Sequence, residues 1–226
     1  MLLQRMLNRL VRPLGLICVE KPRIAPLREL DSKHLKSARI LPCRDDILDE
    51  LPKCGVVAEI GVGFGRYSRK ILDRMQPKLF VAVDCFELGE FNWRGRQNYG
   101  ETLGGLCHED YYRKQFATEI EAGVVVVRKG YSNEVMETFP DAYFDMIYVD
   151  AAHDYESVVK DLAVSGRKIK PSGYIIMNDY ILIDPILLQP YGIVQAVHEF
   201  CVREGWEMVY LAQHPYMFCD VALKKM

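Results

Sequence analysis

Three groups of residues in this chain have types and spacings suited to chemistry. The first is Glu59-Ile60-Gly61-Val62-Gly63-Phe64-Gly65, an acid followed by three glycines at alternate positions. It stands behind the apolar run Val56-Val57-Ala58 and ahead of Arg66-Tyr67-Ser68-Arg69-Lys70-Ile71-Leu72, which can continue as a helix. Glycine permits positive φ and lets a ligand approach the backbone, and a helix start presents unpaired N–H groups. The arrangement is that of a nucleotide-binding turn, and a purely structural turn is its alternative. The second group is Asp84, which closes the run Leu79–Val83. Its distance from the glycines is that of a βαβ unit whose acid accepts hydrogen bonds from both ribose hydroxyls. A cap or turn role is the alternative. The third group is Asp150, at the end of Phe144–Val149, with His153 three residues on and Asp179 just beyond Tyr174–Met177. Imidazole titrates near neutral pH, so His153 is the candidate general base. The alternative for His153 is a structural histidine at a strand-to-helix turn.

The glycine spacing excludes one reading of the turn. Dinucleotide enzymes use G-x-G-x-x-G, whose last glycine lets helix and strand pack closely. Counted from Gly61 or Gly63, that last position holds Arg66 or Ser68.

These residues need strands that end at a common edge, and the sequence supplies them. Val56–Ile60 and Leu79–Val83 read as strands joined by a helix over Tyr67–Met75. Val124–Val127 and Phe144–Val149 are further buried runs. A helix is expected over Tyr111–Ala122. Ser132 is a good N-cap for a helix after Lys129-Gly130-Tyr131. Tyr155–Lys168 shows helical spacing at Val158, Val159 and Leu162. Pro171-Ser172-Gly173 reads as a turn into Tyr174–Met177. Gly192–Arg203 reads as a helix, and the short Gln213-His214-Pro215 connection makes Glu207–Ala212 and Met217–Leu223 an antiparallel pair. Residues 1–44 form an N-terminal helix and cover segment, and 45–226 the main domain. Within it, 85–116 is an aromatic, glycine-rich insertion, read either as a substrate lid or as a packed surface helix.

Composition narrows the function classes. The length of 226 residues suits one sizeable α/β domain. A net charge of −2 offers no global basic field for nucleic acid. Seven cysteines without a C-x-x-C pair fit a reducing cytoplasm better than a disulfide framework or zinc knuckle. No stable membrane span and no secretory leader are expected. Residues 1–12 can form an amphipathic helix with Arg5, Arg9 and Arg12 off its apolar stripe, suited to packing on the domain or in a homodimer rather than to a membrane anchor. Lys33, His34 and Lys36 are either a solvated face or a contact for an acidic substrate.

From residue 45 to 223 the order of motifs, "VVAEIGVGFG…VAVD…KGYS…FDMIYVDAAHDYESVVKDL…PSGYIIMNDY", resembles the class I S-adenosylmethionine-dependent methyltransferases. Within these it looks most like the small-molecule O-methyltransferase branch that includes macrolide-sugar and catechol O-methyltransferases. The resemblance implies a doubly wound, Rossmann-like, seven-stranded and mostly parallel sheet with an antiparallel last strand. It implies S-adenosyl-L-methionine held by Glu59, Gly61, Gly63, Gly65, Asp84, Ser132 and Asp150, and a small-molecule acceptor. It also implies Mg²⁺ or another divalent cation at Asp150 and Asp179. The third ligand position is Tyr180, a poor Mg²⁺ ligand, with Asp154, Asn178 or Asp184 as substitutes. A nicotinamide-dependent oxidoreductase and a non-catalytic nucleotide-binding domain are the competing classes.

Overall fold

The computed structural model describes residues 26–88, 102–185 and 189–226. The expected helix over 1–12 and the middle of the aromatic insertion lie outside these residues.

All five residues of β2 (Val56–Ile60) are buried, so this strand must be covered on both faces. Val56, Ala58 and Ile60 pack into one core layer, with Val81, Val83, Ile147 and Val149. Val57 packs into the other layer, with Phe80, Ala82, Met146 and Tyr148. The period of two thus sends alternate side chains into separate cores above and below one sheet.

The first elements are β1 (Arg39–Leu41), α1 (Arg44–Glu50), β2, α2 (Arg66–Met75) and β3 (Leu79–Asp84). After the insertion come α3 (His108–Gln115), α4 (Ala117–Glu121), β4 (Val125–Lys129), α5 (Ser132–Val135), β5 (Phe144–Val149) and α6 (Tyr155–Lys168). The chain continues through β6 (Ile169–Met177), the short pair β7 (Ile183–Asp184) and β8 (Gln189–Pro190), then α7 (Ile193–Glu204), β9 (Trp206–Gln213) and β10 (Cys219–Lys225). The large sheet runs β1-β9-β10-β6-β5-β2-β3-β4. Strands β4, β3, β2, β5 and β6 are mutually parallel, and β10 is antiparallel to both β6 and β9. This is the doubly wound sheet with an antiparallel last strand, with one strand added. Arg39–Leu41, in the expected cover segment, pairs parallel to β9 at the edge, and the Arg39 guanidinium holds Glu50 of α1.

Three local expectations give way to tertiary packing. The helix over 111–122 is two helices, broken at Phe116 (φ −112°, ψ 23°), whose ring is buried. Pro171-Ser172-Gly173 lies inside β6, where the register with β5 shifts. There Lys170 pairs with Asp145, and a Cβ on Gly173 would lie 2.9 Å from the Asp145 carbonyl oxygen. His34 is fully buried, and its Nδ1 donates to the Trp206 carbonyl at 2.7 Å. It ties the cover segment to β9, so it is not part of a solvated basic face.

The strand order reverses between β2 and β5. In an open α/β sheet the crevice outside the carboxyl ends of two such strands is where ligands bind.

Candidate functional site

The three glycines of the turn have different surroundings. Gly61 (φ +83°) passes so close to β5 that a Cβ there would sit 2.0 Å from the Asp150 carbonyl oxygen. Gly65 (φ +75°) is pressed against Phe116, with 2.6 Å from its Cβ position to the ring. Gly63 (φ +48°) has nothing within 4 Å of its Cβ position and faces a crevice of about 640 Å³. Gly61, Gly63, Asp84, Ser132, Asp150 and Asp161 all line that crevice.

Asp84 holds the turn in shape. Its Oδ2 accepts from the Val62 N–H at 2.8 Å and the Gly63 N–H at 3.3 Å, and its Oδ1 accepts from Phe86 at 2.7 Å. A carboxylate has about four acceptor sites, so capacity remains toward the crevice. His108 braces the turn from behind. Its Nδ1 accepts from the Leu88 N–H, which leaves Nε2–H to donate to the Gly63 carbonyl at 2.7 Å. Nothing in local spacing marks His108 for this, since its partner lies 45 residues away.

Glu59 does not face the crevice. It is buried and accepts a hydrogen bond from Ser68 of α2, and burial holds its carboxyl well above the usual range. Glu59 and Gly65 therefore join β2 to α2 and to Phe116, and neither touches the cavity. Ser132 is the first residue of α5 rather than its N-cap, which is Tyr131. The Ser132 hydroxyl donates to Asp161. Asp161 is 3% exposed, and burial raises its pKa to about 6 despite that bond. Its signal in the sequence is an acid on the apolar stripe of α6, beside Val158 and Leu162.

Strands β5 and β6 deliver Asp150, which lines the crevice, and Asp179, which like His153 lies outside its lining. His153 Nε2 lies between them, 3.7 Å from Asp150 Oδ1 and 3.9 Å from Asp179 Oδ2. Its ring stacks on Tyr191 at 4.5 Å, and Nε2 is buried without a hydrogen-bond partner. Burial lowers the His153 pKa, but the close carboxylate of Asp150, with the charges of Asp179 and Asp184, outweighs it and raises it above 6.5. Burial pushes Asp179 up to about 6. Asp179 also adopts φ +51°, an uncommon conformation for a non-glycine residue.

These residues do not fit a divalent cation. Among the described residues no group of three or more His, Cys, Asp or Glu side chains could hold a metal ion. An imidazole lies between the two expected carboxylate ligands, and Tyr180 turns away to bond His198 Nε2 at 2.5 Å. Of the substitutes, Asp154 caps α6 through Ser157, Asn178 binds Tyr148 and Asp220, and Asp184 accepts from Tyr191.

Asp220, at the start of β10, is fully buried and accepts from Tyr148 at 2.7 Å and Asn178 at 3.1 Å. Burial raises its pKa from 3.8 to about 7. Between those values the folded state holds a proton that the unfolded chain has lost, so stability falls as pH rises through this window. Asp161 and Asp179 add to the same slope. Urea denaturation of the wild type is expected to show the midpoint falling from about pH 4 to about pH 7, and Asp220→Asn is expected to make that fall shallower. Parallel curves for the two proteins would refute the assignment.

Among the described residues no helix is long and apolar enough to cross a membrane. No curated protein matches the chain. Among solved structures, an S-adenosylmethionine-dependent methyltransferase from Aquifex aeolicus superposes with a TM-score of 0.53 at 16% identity, over 85% of this chain and 93% of that one. A ribosomal protein L11 methylase from Lactobacillus delbrueckii subsp. bulgaricus gives 0.53 at 13%, over 90% and 85%. The m1A22 tRNA methyltransferase TrmK from B. subtilis gives 0.54 at 12%, over 82% and 67%. These likenesses show the fold. Residues 58–180, more than half of the chain, match the family model described as a methyltransferase domain. With that match the nicotinamide alternative falls away, and the chain belongs to the class I S-adenosylmethionine-dependent methyltransferases.

Proposed function

We propose that this enzyme methylates a hydroxyl oxygen of a small molecule, a sugar or a phenol, with His153 taking the proton. The observation that carries this reading is the His153 Nε2, buried and without a hydrogen-bond partner beside two carboxylates, of which Asp150 lines the crevice. A buried polar atom of this kind calls for a partner, and an acceptor hydroxyl is one of the right chemistry. The net charge of −2 favours a small acceptor over nucleic acid.

The residues fit the cofactor. Gly63 leaves its Cβ direction open on a crevice of about 640 Å³, a size usual for cofactor sites. Asp84 has acceptor capacity there for ribose hydroxyls, and Ser132 with Asp161 offers polar groups at the far end. When bound, S-adenosylmethionine supplies an electrophilic methyl: the new O–CH₃ bond forms as the S–CH₃ bond breaks, and the bonding pair stays on sulfur as a neutral thioether. The chain's own part is orientation and proton removal. Asp150 and Asp179 flank His153 and stabilise its charged form once it has taken the proton.

The test is a transfer assay with methyl-labelled S-adenosylmethionine and a panel of sugars and phenols. The expected product is a small-molecule methyl ether whose label survives mild base. Label in macromolecular RNA or protein, or on nitrogen or carbon, would overturn the reading.

A further inference from the structure

We propose that the acceptor is a hydroxylated carboxylic acid and that Arg44, with His214 at the same sheet edge, is the subsite for its carboxylate. This rests on the O-methylation reading above.

The topology brings these residues to the reacting edge. Strand β1 runs parallel to β9 with Leu41 opposite Ala212, so the chain leaves β1 at the carboxyl edge of the sheet and reaches Arg44 three residues later. His214 follows the end of β9, and β10 enters at the same edge with Cys219 opposite Gln213. The Arg44 guanidinium lies over the Tyr67 ring, 4.6 Å from its centroid, and Tyr67 in turn lies 4.2 Å from Tyr148.

Arg44 is half-buried, yet its guanidinium makes no hydrogen bond or ion pair within the described residues. Neighbouring cations are committed: Lys70 holds Asp45 at 2.6 Å, and Arg74 holds Asp49. Asp220 takes its direct hydrogen bonds from Tyr148 and Asn178, and Arg44 acts on it by charge alone. The second observation is independent. His214 Nδ1 is buried without a hydrogen-bond partner. Burial first, then the charges of Arg44 and Lys70, lower the His214 pKa, and a neutral imidazole keeps one N–H to donate.

A planar guanidinium fork matches a carboxylate in two-pronged fashion. The Arg44–Tyr67–Tyr148 stack ends on β5 two residues before Asp150, which brings Arg44 to the acidic edge that carries His153. An acceptor that lays its carboxylate on Arg44 can turn its hydroxyl toward His153. The acids Asp150, Asp179 and Asp220 favour a monoanion here over a phosphoryl dianion, which would meet stronger repulsion.

The experiment incubates the full-length wild type, Arg44→Gln and Arg44→Lys with methyl-labelled S-adenosylmethionine and a protein-free small-molecule extract. Labelled products are then separated on an anion exchanger before and after phosphatase treatment. S-adenosylhomocysteine titration and thermal melts are run on each protein. The expected result is label retained on the exchanger and insensitive to phosphatase. Its yield falls at least about thirtyfold in Arg44→Gln and less in Arg44→Lys, as for loss of a buried charge contact, with cofactor affinity and melting temperature near wild type. Neutral labelled products, retention lost after phosphatase, or an unchanged yield in Arg44→Gln would each overturn the carboxylate subsite while leaving O-methylation in place. If Arg44→Gln melts early or loses cofactor affinity, Arg44 is structural and the subsite is likewise overturned. Intact cofactor binding with no labelled small molecule from the wild type would overturn the O-methylation reading and this inference with it.

Discussion

Alanine at position 61 is expected to prevent folding, whereas alanine at position 63 is expected to leave a folded protein that has lost its cofactor. At Gly61 the φ of +83° already disfavours an L side chain, and the added methyl would lie 2.0 Å from the Asp150 carbonyl oxygen and 2.6 Å from its carbon. Both are backbone atoms, so no rotamer change relieves the overlap, and β2 and β5 would have to separate. The cost is expected to exceed about 4 kcal/mol, a large part of the 5–15 kcal/mol or so available to a domain. At Gly63 the methyl meets nothing within 4 Å, so only the left-handed backbone is strained, at about 1–2 kcal/mol. That methyl projects into the crevice, and an affinity loss for S-adenosylhomocysteine of about tenfold to a hundredfold is expected. Soluble yield and thermal melts test the first variant, and titration calorimetry the second. Equal destabilisation by both, with unchanged affinity at 63, would make the turn structural throughout.

The second large effect concerns His153. Its removal is expected to lower kcat by about 10²- to 10⁴-fold, the usual contribution of a positioned acid–base group, with S-adenosylhomocysteine affinity kept. Burial lowers the imidazole's pKa, but Asp150, Asp179 and Asp184 together raise it above 6.5. Only the neutral ring can accept a proton, so kcat/KM is expected to climb with pH through a value above 6.5 and then level off. Asp150→Asn removes the strongest raising partner and should move that limb to lower pH. Stability follows the same linkage. The contribution of protonated His153 is fully present below 6.5 and is lost as pH rises through the raised folded value. A pH–rate profile lacking this limb, or near-normal turnover in His153→Ala with cofactor affinity intact, would remove His153 as the base.

The parts of this site that could be read from sequence are those whose signal is local. Gly61, Gly63 and Asp84 lie within one βαβ unit, and Asp150 with His153 within one turn, so their spacing alone places them together. Other assignments depend on a distant partner. Ser132 reads as a helix cap, but its hydroxyl is taken by Asp161, 29 residues on. Glu59 sits in the motif, yet strand alternation turns it into the buried layer toward Ser68. Tyr180 stands where a metal ligand was expected, and its side chain points to α7. Pro171-Ser172-Gly173 carries turn residues, but the Lys170–Asp145 pair and the close approach of Gly173 hold it in β6. Arg44 has no local signal at all. It precedes the first motif and reaches the site only because Arg39–Leu41 adds an edge strand beside β9.

Calorimetric titration of the wild type and of Asp84→Ala with S-adenosylhomocysteine, and separately with NADH, tests the central claim most directly. The wild type is expected to bind S-adenosylhomocysteine at one site and to ignore NADH, and Asp84→Ala is expected to lose that binding by about a hundredfold. Binding of NADH, or equal S-adenosylhomocysteine affinity in the two proteins, would contradict a crevice in which the glycine turn and Asp84 hold the methyl donor.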